Sequence, residues 1–508
     1  MPQTKPLPTV LPTAAIEQLK STRLGKLYPR TLAQTEAVDA VFFDTFDGHI
    51  LQSHHLLTWH RGHLHLGTGL QEMAQVCPQS PGFVADLPQG PVKQGLGMVP
   101  LLRSLMAMGA AKIQDLTLAY IDDEGKTQAR LGLRILTHDS GASLCLAQPI
   151  ALRGYTKAIA ELRAHIGELG ANSPGWPHLY ETLFPGWQNY TAKPQVDMAP
   201  TTPAIEMVNA VIAAHIPMMR QNEAGIIADI DTEFLHDYRI ALRKIRSVIS
   251  LFSGVYGHQQ TADLKSEFSA LMAPTGKLRD LDVYLLTRSD YAKLLPPDLH
   301  PGLAHMFARF SEHRAAAHAE LAQQLQSPAY GAQMKRLEKL FKKGKKLVAG
   351  PRSGAPAHDF ACSLIWKHYR KICKIAAGIT ETTPDEQVHA LRIQCKKLRY
   401  LMEVSAPLFR KSDMKDVIRP LKQLQDTLGQ FNDYCVQQDN LRAFMGTLGP
   451  TERKENIAIA QTVGALIALM HQGQIAQRAK VEASFAAFNS PNTQNSFQTL
   501  FHSQKEPA

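Results

Sequence analysis

Two segments of this chain carry the same pattern at a fixed distance, and a duplication of that kind restricts the fold more than any other feature. HDYRIALRKIR (His236 to Arg246) and HALRIQCKKLR (His389 to Arg399) both fit H-x-x-R-x-x-x-[RK]-K-x-R, offset by 153 residues. A second pair, PTGKLRDLDV (Pro274 to Val283) and TLGQFNDYCV (Thr427 to Val436), holds the same offset of 153, with Gly276 matching Gly429, Asp280 matching Asp433 and Val283 matching Val436. Two separate motifs at one offset imply a duplicated structural unit. The surrounding segments, Ile205 to Asn222, Thr232 to Phe252, Asp263 to Ala273 and Leu278 to Leu295, have helical apolar periods without strand alternation, so each copy reads as a bundle of helices.

At about 100° per residue, His236, Arg239, Arg243 and Arg246 fall on a stripe about 80° wide. His389, Arg392, Lys396 and Arg399 repeat it, with Lys244 and Lys397 on the flanks. Leu235, Leu242, Ile245 and Ile249, and in the second copy Val388, Leu391 and Leu398, supply the packing face. Helical Lys and Arg are ordinarily a solvated surface. Three features argue for a ligand instead: the stripe is read as lacking a neutralising carboxylate at i+4, it occurs twice, and a histidine opens both copies. Like charges at such spacing repel, and an anion relieves the repulsion. A further stripe, Lys367, Arg370, Lys371 and Lys374, lies between the two motifs, as does the run FKKGKKL around Lys342 to Lys346. Asp280, Asp282, Asp426 and Asp433 are expected to orient neighbouring arginines or to cap helices after Gly276 and Gly429, and Arg279, Asp280, Lys422 and Asp433 are given supporting roles.

Charge follows the same division. Residues 1 to 200 hold 16 Lys+Arg and 16 Asp+Glu, whereas residues 201 to 508 hold 39 and 29, so the whole net charge of +10 belongs to the second part. A basic domain beside a neutral one points to an anionic partner for the former. At 508 residues the chain exceeds one ordinary core. No apolar run reaches the length of a membrane span, the amino terminus has no secretory pattern, and the six scattered cysteines suggest reduced thiols in a reducing compartment. The expected address is therefore cytoplasmic, without membrane partners.

The first 170 residues read as α+β. AVFFD (Ala40 to Asp44), LTLAYI (Leu116 to Ile121), LGLRIL (Leu131 to Leu136) and SLCLA (Ser143 to Ala147) are strand candidates, DDEG (Asp122 to Gly125) a hairpin turn, and Thr156 to Leu169 a helix. Residues 171 to 202, with five prolines and two tryptophans, read as a linker packed against a surface. Six histidines, His49, His54, His55, His60, His63 and His65, fall within 17 residues, and His63 and His65 share a strand face. Imidazoles suit transition metals, but no cysteine or carboxylate completes a recognisable set, so no metal and no cofactor is expected.

HDYRIALRKIR, GKLRDLDV, HALRIQCKKLRY and LQDTLGQFNDY resemble the CHAD family over residues 203 to about 490. The resemblance implies an all-α domain of two duplicated four-helix units, with copies near 203 to 330 and 356 to 490 and a tail at 491 to 508. It further implies that the basic stripes line a positive channel or surface binding inorganic polyphosphate, which nominates His236, Arg239, Arg243, Lys244, Arg246, Lys367, Arg370, Lys371, Lys374, His389, Arg392, Lys396, Lys397 and Arg399. Polyphosphate granules are an expected site of such a protein.

VFFDTFDGHILQSHHLLTWHRG and IALRGYTKAIAEL are similar to segments of the CYTH family, which implies a degenerate β-rich tunnel or barrel over residues 1 to 170. CYTH triphosphatases open on an E-x-E-x-K strand whose carboxylates hold a metal. Here the chain starts MPQTKPL, where Lys5 alone matches, and Arg61 stands nearly alone among expected basic wall residues. The expectation is a non-enzymatic polyphosphate binder. Its alternatives are a CYTH-type triphosphatase and a nucleic-acid binder using the same basic surface; against the latter, the stripes lack interleaved aromatics beyond Tyr238 and Tyr400.

Overall fold

The computed structural model describes residues 8–170, 178–344, 346–380, 383–449 and 454–502. Lys5 and Lys345 of the sequence reading lie outside them. The chain divides into two compact units, Met1–Ala192 and Lys193–Ala508. No described helix is long and apolar enough to cross a membrane.

Among its described residues the amino-terminal unit contains nine strands: β1 (Thr9–Leu11), β2 (Tyr28–Gln34), β3 (Val38–Asp44), β4 (Leu56–His60), β5 (His63–Gly67), β6 (Glu72–Val76), β7 (Met106–Ile121), β8 (Thr127–Thr137) and β9 (Ser143–Ala151). They form one antiparallel sheet in the order β1-β9-β8-β7-β3-β4-β5-β6, with β2 on the other half of β7. The four strand candidates fall in β3, β7, β8 and β9. Asp122 to Gly125 closes the β7–β8 hairpin, with Gly125 at φ +76°. Helices α1 (Ala15–Ser21), α2 (His49–Gln52), α3 (Pro91–Gly95), α4 (Thr156–Gly170) and α5 (Leu179–Leu183) complete the unit. One core packs α1 and α4 on Leu116, Leu118, Tyr120, Leu131 and Leu133. On the opposite face Tyr180, Leu183 and Phe184 cover Phe42, so part of the expected linker belongs to this unit.

The expected tunnel or barrel is corrected: the sheet is open. It curls far enough for the β5–β6 turn to reach β8, where Arg134 Nη1 donates to Gly69 O at 2.7 Å. No ladder joins β6 to β1. At that gap Pro8 packs against Gly69, where an added Cβ would lie 2.7 Å from Pro8 Cγ. Proline has no amide hydrogen to give to a closing ladder, and a three-residue β1 offers little else to pair.

The carboxy-terminal unit is helical: α6 (Ala204–Ile227), α7 (Thr232–Leu251), α8 (His258–Met272), α9 (Thr275–Leu286), α10 (Arg288–Leu294), α11 (His300–Gln326), α12 (Pro328–Lys343), α13 (Ala357–Ala376), α14 (Asp385–Ser405), α15 (Lys411–Thr447), α16 (Lys454–Arg478), α17 (Val481–Phe488) and α18 (Pro491–Phe501). The repeat governs helix starts as well as motifs. Ala204 and Ala357, Thr232 and Asp385, and His258 and Lys411 open equivalent helices, each pair 153 apart. The long α15 is equivalent to α8, α9 and α10 together. Copy one is interrupted at Ala273–Pro274, where copy two has Asp426–Thr427; proline removes a helix donor there, although α6 and α15 continue through Pro217 and Pro420. Gly429 consequently lies inside α15 and Gly276 inside α9, so Asp280 and Asp433 cap neither helix. Residues 491–501 of the expected tail form α18, with Phe497 and Phe501 buried.

The apolar stripe of α7 is interior, with Leu235, Leu242, Ile245 and Ile249 buried, and so is that of α14, with Val388, Leu391 and Leu398. Asp231 caps α7 by accepting from Glu233 N (2.9 Å) and Phe234 N (3.2 Å). The two copies exchange backbone bonds at the starts of α6 and α13: Ala204 N donates to Ala355 O (2.9 Å) and Ala357 N to Thr202 O (2.8 Å). First-turn amides with no partner inside their own helix are thereby satisfied by the other copy.

Candidate functional site: a cationic groove between the copies

Equivalent residues meet each other in several places. Pro203 bridges Pro356, and Tyr284 Oη donates to Gln437 O at 3.4 Å; both pairs are 153 apart. Only residues near a twofold axis touch their own equivalents, so these pairs trace a local pseudo-twofold axis through the helical unit. Arg243 and its equivalent Lys396 line one cavity, within electrostatic reach of one another. The helices carrying the two stripes, α7 and α14, pack together. Two stripes that are remote in sequence thereby become one cationic seam.

Three cavities follow that seam. The first, about 500 Å³, is lined by His236, Arg239, Arg243, Arg279, Asp280, Tyr284, Thr287, Asp433, Gln437 and Asn440 among others. The second, about 460 Å³, shares Arg243 and adds Arg246, Lys265, Lys396, Lys397, Ser250 and Tyr400. The third, also about 460 Å³, shares Ser250 and Lys397 with the second and adds Arg352, Lys367 and His368. Shared walls make them one elongated groove. Among the described residues, Asp280 and Asp433 are the carboxylates that line it.

Within the groove, Arg239 is held by a hydrogen bond to Thr275 Oγ1, and burial pushes its guanidinium below the usual range. Burial likewise lowers Lys396, reinforced by Arg392 and Arg243. Arg392, half-buried at the border, lies 4.0 Å from Asp433, and its Nε has no hydrogen-bond partner among the described residues. Exposed Arg243 and half-buried Arg246 and Lys396 have no ion-pair partner among the described residues, where pairing is the usual condition of half-buried charge.

The structure therefore brings together His236, Arg239, Arg243, Arg246, Arg279, Asp280, Lys367, Lys396, Lys397 and Asp433, with Arg392 at the edge. It turns Lys244 and Arg399 aside. Arg399 Nε donates to Glu403 Oε1 at 2.7 Å and its Nη1 to Gln425 Oε1 at 3.2 Å, while Lys244 Nζ lies 3.8 Å from Glu403 Oε2. Glu403 stands four residues after Arg399, so the reading of an i+4 position free of carboxylates is corrected for the second copy. His389 Nδ1 is 2.9 Å from Asn432 Oδ1. His389, Arg370, Lys371, Lys374 and Lys422 are exposed and line none of the three cavities. Asp282 serves α11 rather than a stripe, accepting from Arg314 Nε at 2.8 Å. Lys265 and Arg352 were missed: their equivalents are Ile418 and Ala199, so no repeat signal marks them.

A family model described as CHAD domain matches residues 210–442. That span is shorter than the 203 to 490 expected and leaves the amino-terminal sheet outside it. No curated protein matches the chain. Among solved structures, the chain is similar to the crystal structure of the CHAD domain from the plant Ricinus communis (22% identity, TM-score 0.49, covering 59% of this chain and 96% of that one). It is also similar to PptA from Streptomyces chartreusis (16% identity, TM-score 0.42, covering 58% of this chain and 100% of that one).

Proposed function

We propose, taking a CHAD domain at residues 210–442 as the premise, that this protein binds a long inorganic polyanion, polyphosphate first, along the groove between the two helical copies. The observation that carries the reading is the approach of Arg243 and Lys396 in one cavity, neither of them ion-paired among the described residues. Two like charges held close on rigid helices repel each other at every moment the groove is empty. A chain of phosphates, about one charge per unit and no bases, needs only spaced cations with forked or pointed donors, and Arg with Lys supply both. The connected cavities suit an extended ligand better than a compact one.

The role is binding without catalysis. In the amino-terminal unit, read as an opened CYTH relative, the first described strand, β1, has the sequence TVL and carries no carboxylate to hold a divalent metal beside a triphosphate. Nucleic acid competes for the same charge, but Tyr238 is buried with its hydroxyl 3.1 Å from that of Tyr330, and the tyrosines among the groove-lining residues, Tyr284 and Tyr400, stand in separate cavities rather than as a row of stacking platforms. Competition experiments on the full chain, with polyphosphate, DNA and RNA matched for charge and salt, test the reading. Preference for polyphosphate is expected; equal affinity for all three would reduce the site to general basicity. Phosphate release from tripolyphosphate with Mg²⁺ or Mn²⁺ would overturn the non-catalytic role.

A further inference from the structure

The histidine-rich strands of the amino-terminal unit converge on a carboxylate that sequence reading did not connect with them. Pairing of Thr58 with His65 across β4–β5, and of Gly67 with Glu72 across β5–β6, puts His60, His65 and Glu72 on one face of the sheet. One ligand atom from each lies within 4.8 Å of the others. The rings of His60 and His65 stack at 4.0 Å with an interplanar angle of 8°. Nδ1 of each is buried, that of His60 without a hydrogen-bond partner among the described residues and that of His65 with Glu72 Oε1 3.0 Å away as its nearest acidic group. A buried ring nitrogen without a partner is unfavourable, and two ring nitrogens together beside a carboxylate oxygen ask for a shared electrophile.

The charges around them say which kind. Arg134 Nη1 donates to Glu72 Oε2 at 2.6 Å, and Arg134 also forms a two-pronged pair with Asp115 at 2.8 Å on each arm. Arg134 divides its guanidinium between two carboxylates, and Arg61 lies within electrostatic reach of His60, so Glu72 is the acidic group left beside the two imidazoles. The arginine also fixes the orientation of Glu72 while leaving Oε1 directed at the histidines, which is how supporting hydrogen bonds commonly hold a metal-binding carboxylate.

We propose that His60, His65 and Glu72 form a transition-metal site that takes one Zn²⁺, with water or His63, whose ring centroid is 6.4 Å from that of His65, filling the remaining position. Two imidazole nitrogens and one carboxylate oxygen are a ligand set of Zn²⁺, with Co²⁺ and Ni²⁺ as close substitutes. Parallel rings cannot both aim in-plane lone pairs at one ion, so binding turns at least one imidazole out of the stack. The ligand atoms must also draw together to about 2.0–2.2 Å from the ion.

The test uses the full chain, stripped with EDTA and titrated with Zn²⁺ by calorimetry, and with Co²⁺ by visible absorption. One equivalent should bind, with the strong visible bands of four- or five-coordinate Co²⁺. His60→Gln and His65→Gln should each weaken binding at least ~10-fold, by analogy with the loss seen on disturbing metal-site hydrogen bonds. Glu72→Gln, which keeps an acceptor for Arg134, should do the same. The His236→Ala/His389→Ala variant should bind as the wild type does. Absence of stoichiometric uptake would overturn the proposal. So would unchanged uptake by a His60→Gln/His65→Gln variant with wild-type circular dichroism, which would mean scattered binding among the chain's 21 histidines.

Discussion

The two helical copies carry the same motif but do not use it alike, and one residue accounts for much of the difference. In copy one, Arg246 opens into the groove while Lys244 is drawn away; in copy two, Lys397 opens into it while Arg399 is drawn away. The residue responsible is Glu403, which accepts from Arg399 and stands beside Lys244; its equivalent in copy one is Ser250, a groove-lining residue. A duplicated sequence therefore predicts the framework of a site better than its occupancy. A single carboxylate at one of two equivalent positions draws two cations out of the groove and leaves their equivalents in it.

Breaking the seam where Arg243 approaches Lys396 should have the largest effect. Arg243→Ala with Lys396→Ala is expected to weaken polyphosphate binding roughly 100-fold, the loss of two charge-assisted contacts, with an unchanged melting temperature; fluorescence anisotropy with labelled polyphosphate measures it. Next comes the asymmetry itself. Arg246→Ala should weaken binding about 10-fold, whereas Arg399→Ala should leave affinity within about 2-fold, since its charge is already satisfied by Glu403. Equal losses from the two variants would contradict the comparison. Glu403→Ser, which gives copy two the residue of copy one, should release Arg399 and Lys244 and tighten binding by about 3-fold or more.

The smallest expected effect is that of pH. Lys396 loses its proton below the ordinary lysine range because burial and the neighbouring Arg392 and Arg243 disfavour its charge. Binding needs the ammonium, so affinity should stay level below that lowered value and fall as the pH rises through it. Stability should move the opposite way: the unfolded chain binds more protons in the window up to about 10.4, so the free protein gains stability as pH rises there. Lys396→Arg should abolish both changes, read from binding and melting curves across the alkaline range.

Much of this was legible in the sequence, for identifiable reasons. The helical periods and the 153-residue offset locate α6, α7, α13 and α14 because apolar spacing reports the buried face directly. The offset establishes that Arg243 and Lys396 are equivalent, but not that they face each other, which depends on where the axis runs through the packed copies. Glu403 was readable as the i+4 neighbour of Arg399, and its pull on Lys244 was not, because that ion pair crosses from one copy to the other. In the amino-terminal unit, hairpin strands such as β7 and β8 follow from local turn chemistry. The failure of the sheet to close depends on long-range pairing and on Pro8 standing at the gap. Glu72 escaped notice for a similar reason, since only strand register places it beside His60 and His65.

The most direct test of the groove is the salt dependence of polyphosphate affinity, compared between the wild-type chain and the Arg243→Ala/Lys396→Ala variant. By analogy with nucleic acids, each phosphate contact contributes nearly one unit to the log–log slope. The slope should be shallower by about two units in the variant, with the same fold by circular dichroism. An unchanged slope would contradict it and place the ligand away from the seam where the two copies meet.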